Sequence, residues 1–221
     1  MAKAGRTSQV GGGREASATR ERLVSAAFTV LHEDGIAQAS ARAIAARGGF
    51  NPGLIFYYFD SVNDLLVEAL AQSSRSQLVR YRKALGDATT VTDVVRASEG
   101  LLQDDFDSGH VKVLAELVAA SAGDRALRRE VLAQIEPWMA FTEEILERVL
   151  APTGLTDLVP SEQVAFAVVA LFLGMEMLTG VGDEDFVGDL FDSAGRVVNS
   201  AGALVALAGV RRAPTTPTTP T

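Results

Sequence analysis

Cysteine is absent from the 221 residues, and histidine occurs only twice. The first absence excludes disulfides, zinc–thiolate sites and a cysteine nucleophile, and it is compatible with a reducing cytoplasm. The second leaves little from which to build a histidine-based triad or a metal centre, because His32 and His110 stand isolated in unrelated segments. Aromatic residues make up only 6% of the chain, with a single Trp. Long apolar runs are missing as well: Val164 to Met175 is the longest, and Glu176 ends it before it could cross a bilayer. With no charged-then-apolar leader at the start, a soluble, unexported, cytoplasmic protein without membrane contact is expected.

Positive charge is also scarce. The net charge of −8 argues at first sight against a nucleic-acid partner. The deficit is uneven, however. Within residues 1–60, Lys3, Arg6, Arg14, Arg20, Arg22, Arg42 and Arg47 outnumber Glu15, Glu21, Glu33, Asp34 and Asp60, so the acidity lies in the remainder. A mildly basic head on an acidic body suits a protein whose nucleic-acid contacts lie at one end. Other charged or glycine-rich clusters carry no chemistry. Asp104-Asp105 and Asp183-Glu184-Asp185 read as solvated caps or loops, and Gly11-Gly12-Gly13 follows no strand and cannot act as a phosphate loop. No catalytic residue, cofactor or metal site is expected. An enzyme would need a turnover chemistry that these residue types do not supply.

What the chain does have is helical periodicity, broken by short Gly, Pro or Asp/Ser punctuation and free of convincing period-two alternation, so the fold class expected is all-α. Residues 1–16 and the Pro/Thr tail 211–221 are expected to be disordered. A first helix from about Thr19 to Glu33 has Leu23, Ala26, Ala27, Val30 and Leu31 on one stripe and stops at Gly35. Ser40 caps a short second helix that closes at Gly48-Gly49. Asn51 caps a third, Pro52 to Phe59, where Pro52 fits the first position because its missing N–H needs no partner there. Ser61-x-x-Asp64 opens a long fourth helix to about Ala84, and further helices are expected near 91–106, 111–122, 125–150 (with Pro137 inside), 161–179 and 185–208.

Three short helices, the second and third joined by a glycine-containing turn, match a helix-turn-helix, whose last helix lies in the major groove. At about 100° per residue, Pro52, Ile55, Phe56 and Phe59 share one side of the third helix and are expected to anchor it. Gly53, Leu54, Tyr57 and Tyr58 share the other side and are presented. Gly53 permits close backbone approach, Leu54 can touch a thymine methyl and tyrosine hydroxyls can donate to phosphates. Ser40 and Asn51, at helix N-termini, suit phosphate oxygens.

The stretch Thr19 to Leu66, with Thr19-Arg20, Ala26-Ala27-Phe28, Gly35, Ser40-Ala41-Arg42-Ala43-Ile44-Ala45, Gly49 to Phe59 and Leu65-Leu66, resembles the DNA-binding domain of the tetracycline-repressor (TetR) family. That resemblance implies a DNA-binding domain over 17–66 and a larger helical ligand-binding and dimerisation domain over 67–210. It implies a homodimer built from the last two long helices, a pseudo-palindromic operator and a small-molecule effector that lowers operator affinity. Its DNA contacts fall on Ser40, Arg42, Asn51, Pro52, Gly53, Leu54, Tyr57 and Tyr58. The pattern departs from the family at Phe56, where a tyrosine is usual, and at Val62, where a lysine is usual. Trp138, Phe141, Phe172 and Met175 are candidates for an apolar effector pocket, since such pockets lie between helices and use these residue types. The stretch Val164 to Leu178, apolar nearly all round, fits a dimer seam or a central core helix.

Overall fold

The computed structural model describes residues 8–151 and 160–179, which are helical throughout apart from short connections. In chain order the helices are α1 (Ser8–Asp34), α2 (Ala41–Gly48), α3 (Ile55–Tyr58), α4 (Val62–Leu85), α5 (Val91–Ser108), α6 (His110–Ala120), α7 (Arg125–Leu150) and α8 (Ser161–Thr179), with single 3₁₀ turns at Ile36–Gln38, Pro52–Leu54 and Ser121–Gly123. The all-α expectation therefore holds for every described element. The helix expected at 185–208 and the tail 211–221 lie outside the described residues. No helix among those described is long and apolar enough to cross a membrane.

α1 departs from the expectation at its start. It begins at Ser8 rather than near Thr19, so the stretch expected to be disordered up to residue 16 is helical from Ser8 on. Elongating a helix is far easier than nucleating one, and the buried stripe downstream supplies the nucleus. Thr19 Oγ1 donating to the Glu15 carbonyl at 2.9 Å and Ser17 Oγ donating to Glu21 at 3.2 Å reinforce the added turns. Pro137 neither splits nor ends its helix, for α7 runs through it.

The chain divides into two compact units: Met1–Val79 with Asp104–Pro137, and Arg80–Gln103 with Trp138–Thr221. The core of the first unit draws on α6 and the first half of α7 as well as on α1 to α4. Leu23, Ala27, Val30 and Leu31 of α1 share one apolar cluster with Ile44 of α2, Ile55 of α3, Leu65 and Leu70 of α4, Val113 and Leu117 of α6 and Leu127 and Val131 of α7. Each fully buried Leu or Ile contributes roughly 1.5–3 kcal/mol.

Polar contacts tie α6 to the end of α1. Lys112 Nζ donates to the His32 carbonyl at 2.6 Å, placing a cation at the negative end of the α1 dipole. The Glu116 carboxylate accepts the Ile36 N–H just after Gly35, which ends α1 with φ of 80°. Gly109, with φ of 72°, lies against the His32 ring, leaving no room for a side chain. His110 is buried, and its Nδ1 lies 3.0 Å from Ser73 Oγ of α4. In the second unit, Arg148 of α7 donates to the carbonyls of Leu85 at 3.3 Å and Gly86 at 2.9 Å, closing the end of α4.

Burial pushes the His110 imidazole down to about 4 from its ordinary 6.5. The folded protein thus holds it neutral while the unfolded chain takes up a proton below pH ~6.5, so stability declines as pH falls from there toward 4. His110→Asn, which keeps a polar group toward Ser73, removes this dependence. Chemical unfolding at pH 7 and pH 4.5 should show the parent losing roughly 2–3 kcal/mol more than the variant, and equal losses would refute the assignment.

Candidate nucleic-acid interface

The reading head of the first unit is assembled around two caps and one turn. Ser40 Oγ accepts the Ala43 N–H at 3.2 Å and starts α2, whose Ile44 and Ala45 are buried. α2 ends on Gly49 in the left-handed conformation (φ 70°), and the Phe50 N–H returns to the Ala45 carbonyl at 2.8 Å. Asn51 Oδ1 then accepts the Gly53 N–H at 2.9 Å and opens the 3₁₀ turn Pro52–Leu54, which leads directly into α3. What was expected as one third helix is thus a 3₁₀ turn followed by a single α turn.

Ile55 is wholly buried and Phe59 is 7% exposed, so these two anchor α3. Opposite them Tyr57 stands 78% exposed, with its ring edge-on to Tyr58 at 5.0 Å. The expectation is corrected at three flanking positions. Phe56, assigned to the anchoring side, is 58% exposed, whereas Leu54 and Tyr58, assigned to the presented side, are half-buried against the core. Measured from a line midway between Ile55 and Phe59, Phe56 and Tyr58 lie about 80° to either side. Helical periodicity cannot choose between two such flanks, and packing against the rest of the unit does. Pro52, also assigned to the anchoring side, is exposed together with Ser40, Arg42, Asn51 and Gly53. Val62, at the position where the resemblance calls for lysine, packs against the core.

The arginines divide by use. Arg47 pairs with Glu33 and, at 2.9 Å, with Asp34, joining the end of α2 to the end of α1. The hydrogen bond it donates to the Glu33 carboxylate raises the guanidinium above its ordinary value. Arg20 lies over the Phe59 ring at 4.9 Å and reaches Glu68 at 3.5 Å, which also pairs with Arg75 at 3.0 Å. Burial works to raise the Glu68 carboxyl, but the hydrogen bonds and charges of Arg75 and Arg20 outweigh it and hold it below the usual range. Arg22 lies over Phe50. Arg42, by contrast, is exposed and makes no hydrogen bond or ion pair among the described residues. Sequence reasoning ranked Arg42 above the other three but could not see their partners, which lie up to 48 positions away.

The effector candidates fall in the second unit. Trp138 packs edge-on against Tyr81 at 5.2 Å, and Phe141 is buried with Tyr81 at 6.5 Å and the Arg82 guanidinium over its ring at 5.1 Å. The side chains of Phe172 and Met175, on α8, lie outside the described ones. Among the described residues, no group of three or more His, Asp or Glu is placed to hold a metal.

Residues 23–69, which hold the whole α2–turn–α3 arrangement, match the family model described as bacterial regulatory proteins, tetR family. Over these residues the chain is similar to the DNA-binding domain of the tetR family. It is similar to an HTH-type transcriptional regulator of Mycobacterium tuberculosis, 28% identical over 110 residues that cover 50% of this chain and 56% of that protein. The chain thus spans about half the length of the curated relatives it matches. The TetR fold extends further than this sequence likeness. A TetR-family transcriptional regulator from Streptomyces coelicolor superposes with a TM-score of 0.65 at 21% identity, covering 82% of this chain and 96% of the other. The multidrug binding protein EbrR, in complex with imidazole, superposes with a TM-score of 0.56 at 26% identity, covering 79% and 93%.

The turn of this TetR-type head makes Gly48 a sensitive position. A Cβ there would stand 2.4 Å from the Phe50 ring, whereas one at Gly49 would meet nothing within 4 Å. Gly48→Ala is therefore expected to lower stability by about 1–3 kcal/mol through overpacking. Gly49→Asn, which accepts the left-handed conformation, should be nearly neutral. Thermal melts of the two variants beside the parent check the contrast.

Proposed function

We propose that the protein is a sequence-specific DNA-binding transcriptional regulator that acts as a homodimer in the cytoplasm and represses until a small apolar or amphipathic effector releases it. The observation that carries this reading is α3, rooted by Ile55 and Phe59 and offering Tyr57 to solvent, in a unit whose Arg42 is also exposed and pairs with no acid among the described residues. In the major groove such a helix reads base edges through Gly53, Leu54 and Tyr57. Ser40, Arg42, Asn51 and Tyr58 hold the phosphates on either side, and Pro52, which has no donor, offers apolar contact only.

Dimerisation is supported by α8, where Phe166 is 66% exposed on a face that continues through Ala167, Ala170 and Leu171. Apolar surface of that kind on a helix fits a second copy of the chain. Two heads then engage half-sites about one DNA turn apart. The effector reading draws support from the likeness to EbrR, described as a multidrug binding protein. Trp138, Phe141, Phe172 and Met175 are assigned to the pocket. An effector shifts the population only by its differential affinity for the two spacings of the heads, and DNA weakens effector binding by the same factor.

Selection of duplexes from a random pool by the purified protein at physiological salt should enrich one inverted repeat. Tyr57→Ala should lose most of that selectivity. Arg42→Ala should weaken all sequences alike and reduce the salt slope of binding by about one contact per subunit. A pool with nothing enriched would favour a non-specific architectural protein, and two variants that bind like the parent would show the head to be wrongly assigned.

A further inference from the structure

We propose that Arg22 of α1 is a positioning residue for the DNA-reading turn, setting the angle between α2 and α3 without touching DNA; this rests on the DNA-binding reading above. Arg22 is the only described residue of α1 that donates a hydrogen bond to this turn. Its Nη2 donates to the Gly48 carbonyl at 3.4 Å, and its Cζ stands 4.7 Å from the centre of the Phe50 ring. The carbonyl is one of those left open at the end of α2, where a cation is favoured by the helix dipole. The Phe50 ring in turn lies so closely on Gly48 that a Cβ would meet it at 2.4 Å, and the same Cβ would stand 3.2 Å from Ala26 of α1.

The turn therefore has three independent restraints. Gly49 takes the left-handed conformation, the Phe50 N–H returns to the Ala45 carbonyl, and the Arg22 guanidinium covers ring and carbonyl together. The first two fix the backbone locally. The third is the hydrogen bond that runs from α1 to the turn itself, alongside the Arg47 pairs with Glu33 and Asp34 and the packing of Phe50 on the core cluster. Arg22 itself is exposed, so a phosphate contact is the rival use of its charge. The geometry spends its guanidinium on Phe50 and Gly48 instead. Arg42, at the other end of α2, engages no acid, ring or carbonyl among the described residues.

The two uses differ in what they do to binding. A phosphate contact adds affinity for any duplex and steepens the salt dependence, whereas a positioning contact adds affinity only where α2 and α3 must fit the groove together. The test uses the full-length protein and an operator duplex obtained by selection, with an unrelated duplex of equal length for comparison. Affinities are measured over a series of salt concentrations, and stoichiometric titration gives the active fraction of each preparation.

Arg22→Met should weaken operator binding by about fivefold or more, since without the ring contact each of the two heads of a dimer spends less time in the groove-competent geometry. Its affinity for the unrelated duplex and its salt slope should match the parent. Phe50→Leu should behave alike, and the double variant should be little worse than either single one. Arg22→Lys, which keeps a cation for the ring, should recover part of the loss. If Arg22→Met folds poorly, Arg22→Lys and Phe50→Leu carry the comparison on their active fractions.

A salt slope lowered by about one contact per subunit, with both duplexes weakened equally, would overturn the proposal in favour of a phosphate contact. Operator affinity unchanged in Arg22→Met and Phe50→Leu would overturn it outright. A parent that does not distinguish the two duplexes would sink the DNA reading itself, and that control is measured before any variant.

Discussion

Burial of one stripe of α1 is the constraint on which the first unit depends. Leu23, Ala27, Val30 and Leu31 are inaccessible, and residues from α2, α3, α4, α6 and α7 pack into the same cluster. A four-residue α3 could not persist by its own hydrogen bonds, because a helix that short is dominated by the nucleation penalty. It persists because Ile55 and Phe59 are held in that cluster at its two ends. The exposure of Tyr57 follows, since the residue midway between two buried anchors on a single turn points away from the core.

Charge is used in two ways around that core. Most arginines of the head are joined to acids, rings or carbonyls of the same unit: Arg47 to Glu33 and Asp34, Arg20 to Glu68 and Phe59, Arg22 to Gly48 and Phe50. Exposed ion pairs of this kind contribute little to stability one by one, because water screens them and long side chains lose freedom. Their effect lies in geometry, joining the ends and turns of short helices that have few contacts of their own. An internally satisfied set of arginines also explains how an acidic chain can present a local cation: Arg42 need only be unpaired.

The connection from α1 to α6 follows the same logic with half-buried groups. Lys112 and Glu116, one helical turn apart, take the His32 carbonyl in the last turn of α1 and the Ile36 N–H just beyond Gly35. Both backbone groups would otherwise be unsatisfied at a helix end. The close approach is made possible by Gly109, against which the His32 ring rests. Beside it, His110 is buried neutral under Ser73, a polar group retained at the seam of α4 and α6.

The sequence by itself determined the all-α class, the helix boundaries from α2 onward among the described residues to within a few positions, the two caps at Ser40 and Asn51, and the place of Tyr57 among the outward residues of the third helix. These are local properties, set by caps, glycines and periodicity within one turn of chain. Only the tertiary structure decided which flank of α3 is buried, since Phe56 and Tyr58 are equivalent on the wheel and differ only in what packs beside them. It also decided that α1 extends back to Ser8, that α6 and the first half of α7 share the core of the head, and which arginines are engaged. Each of those depends on partners far away in the chain, and a side chain's type records its chemistry but not the neighbour that folding brings to it.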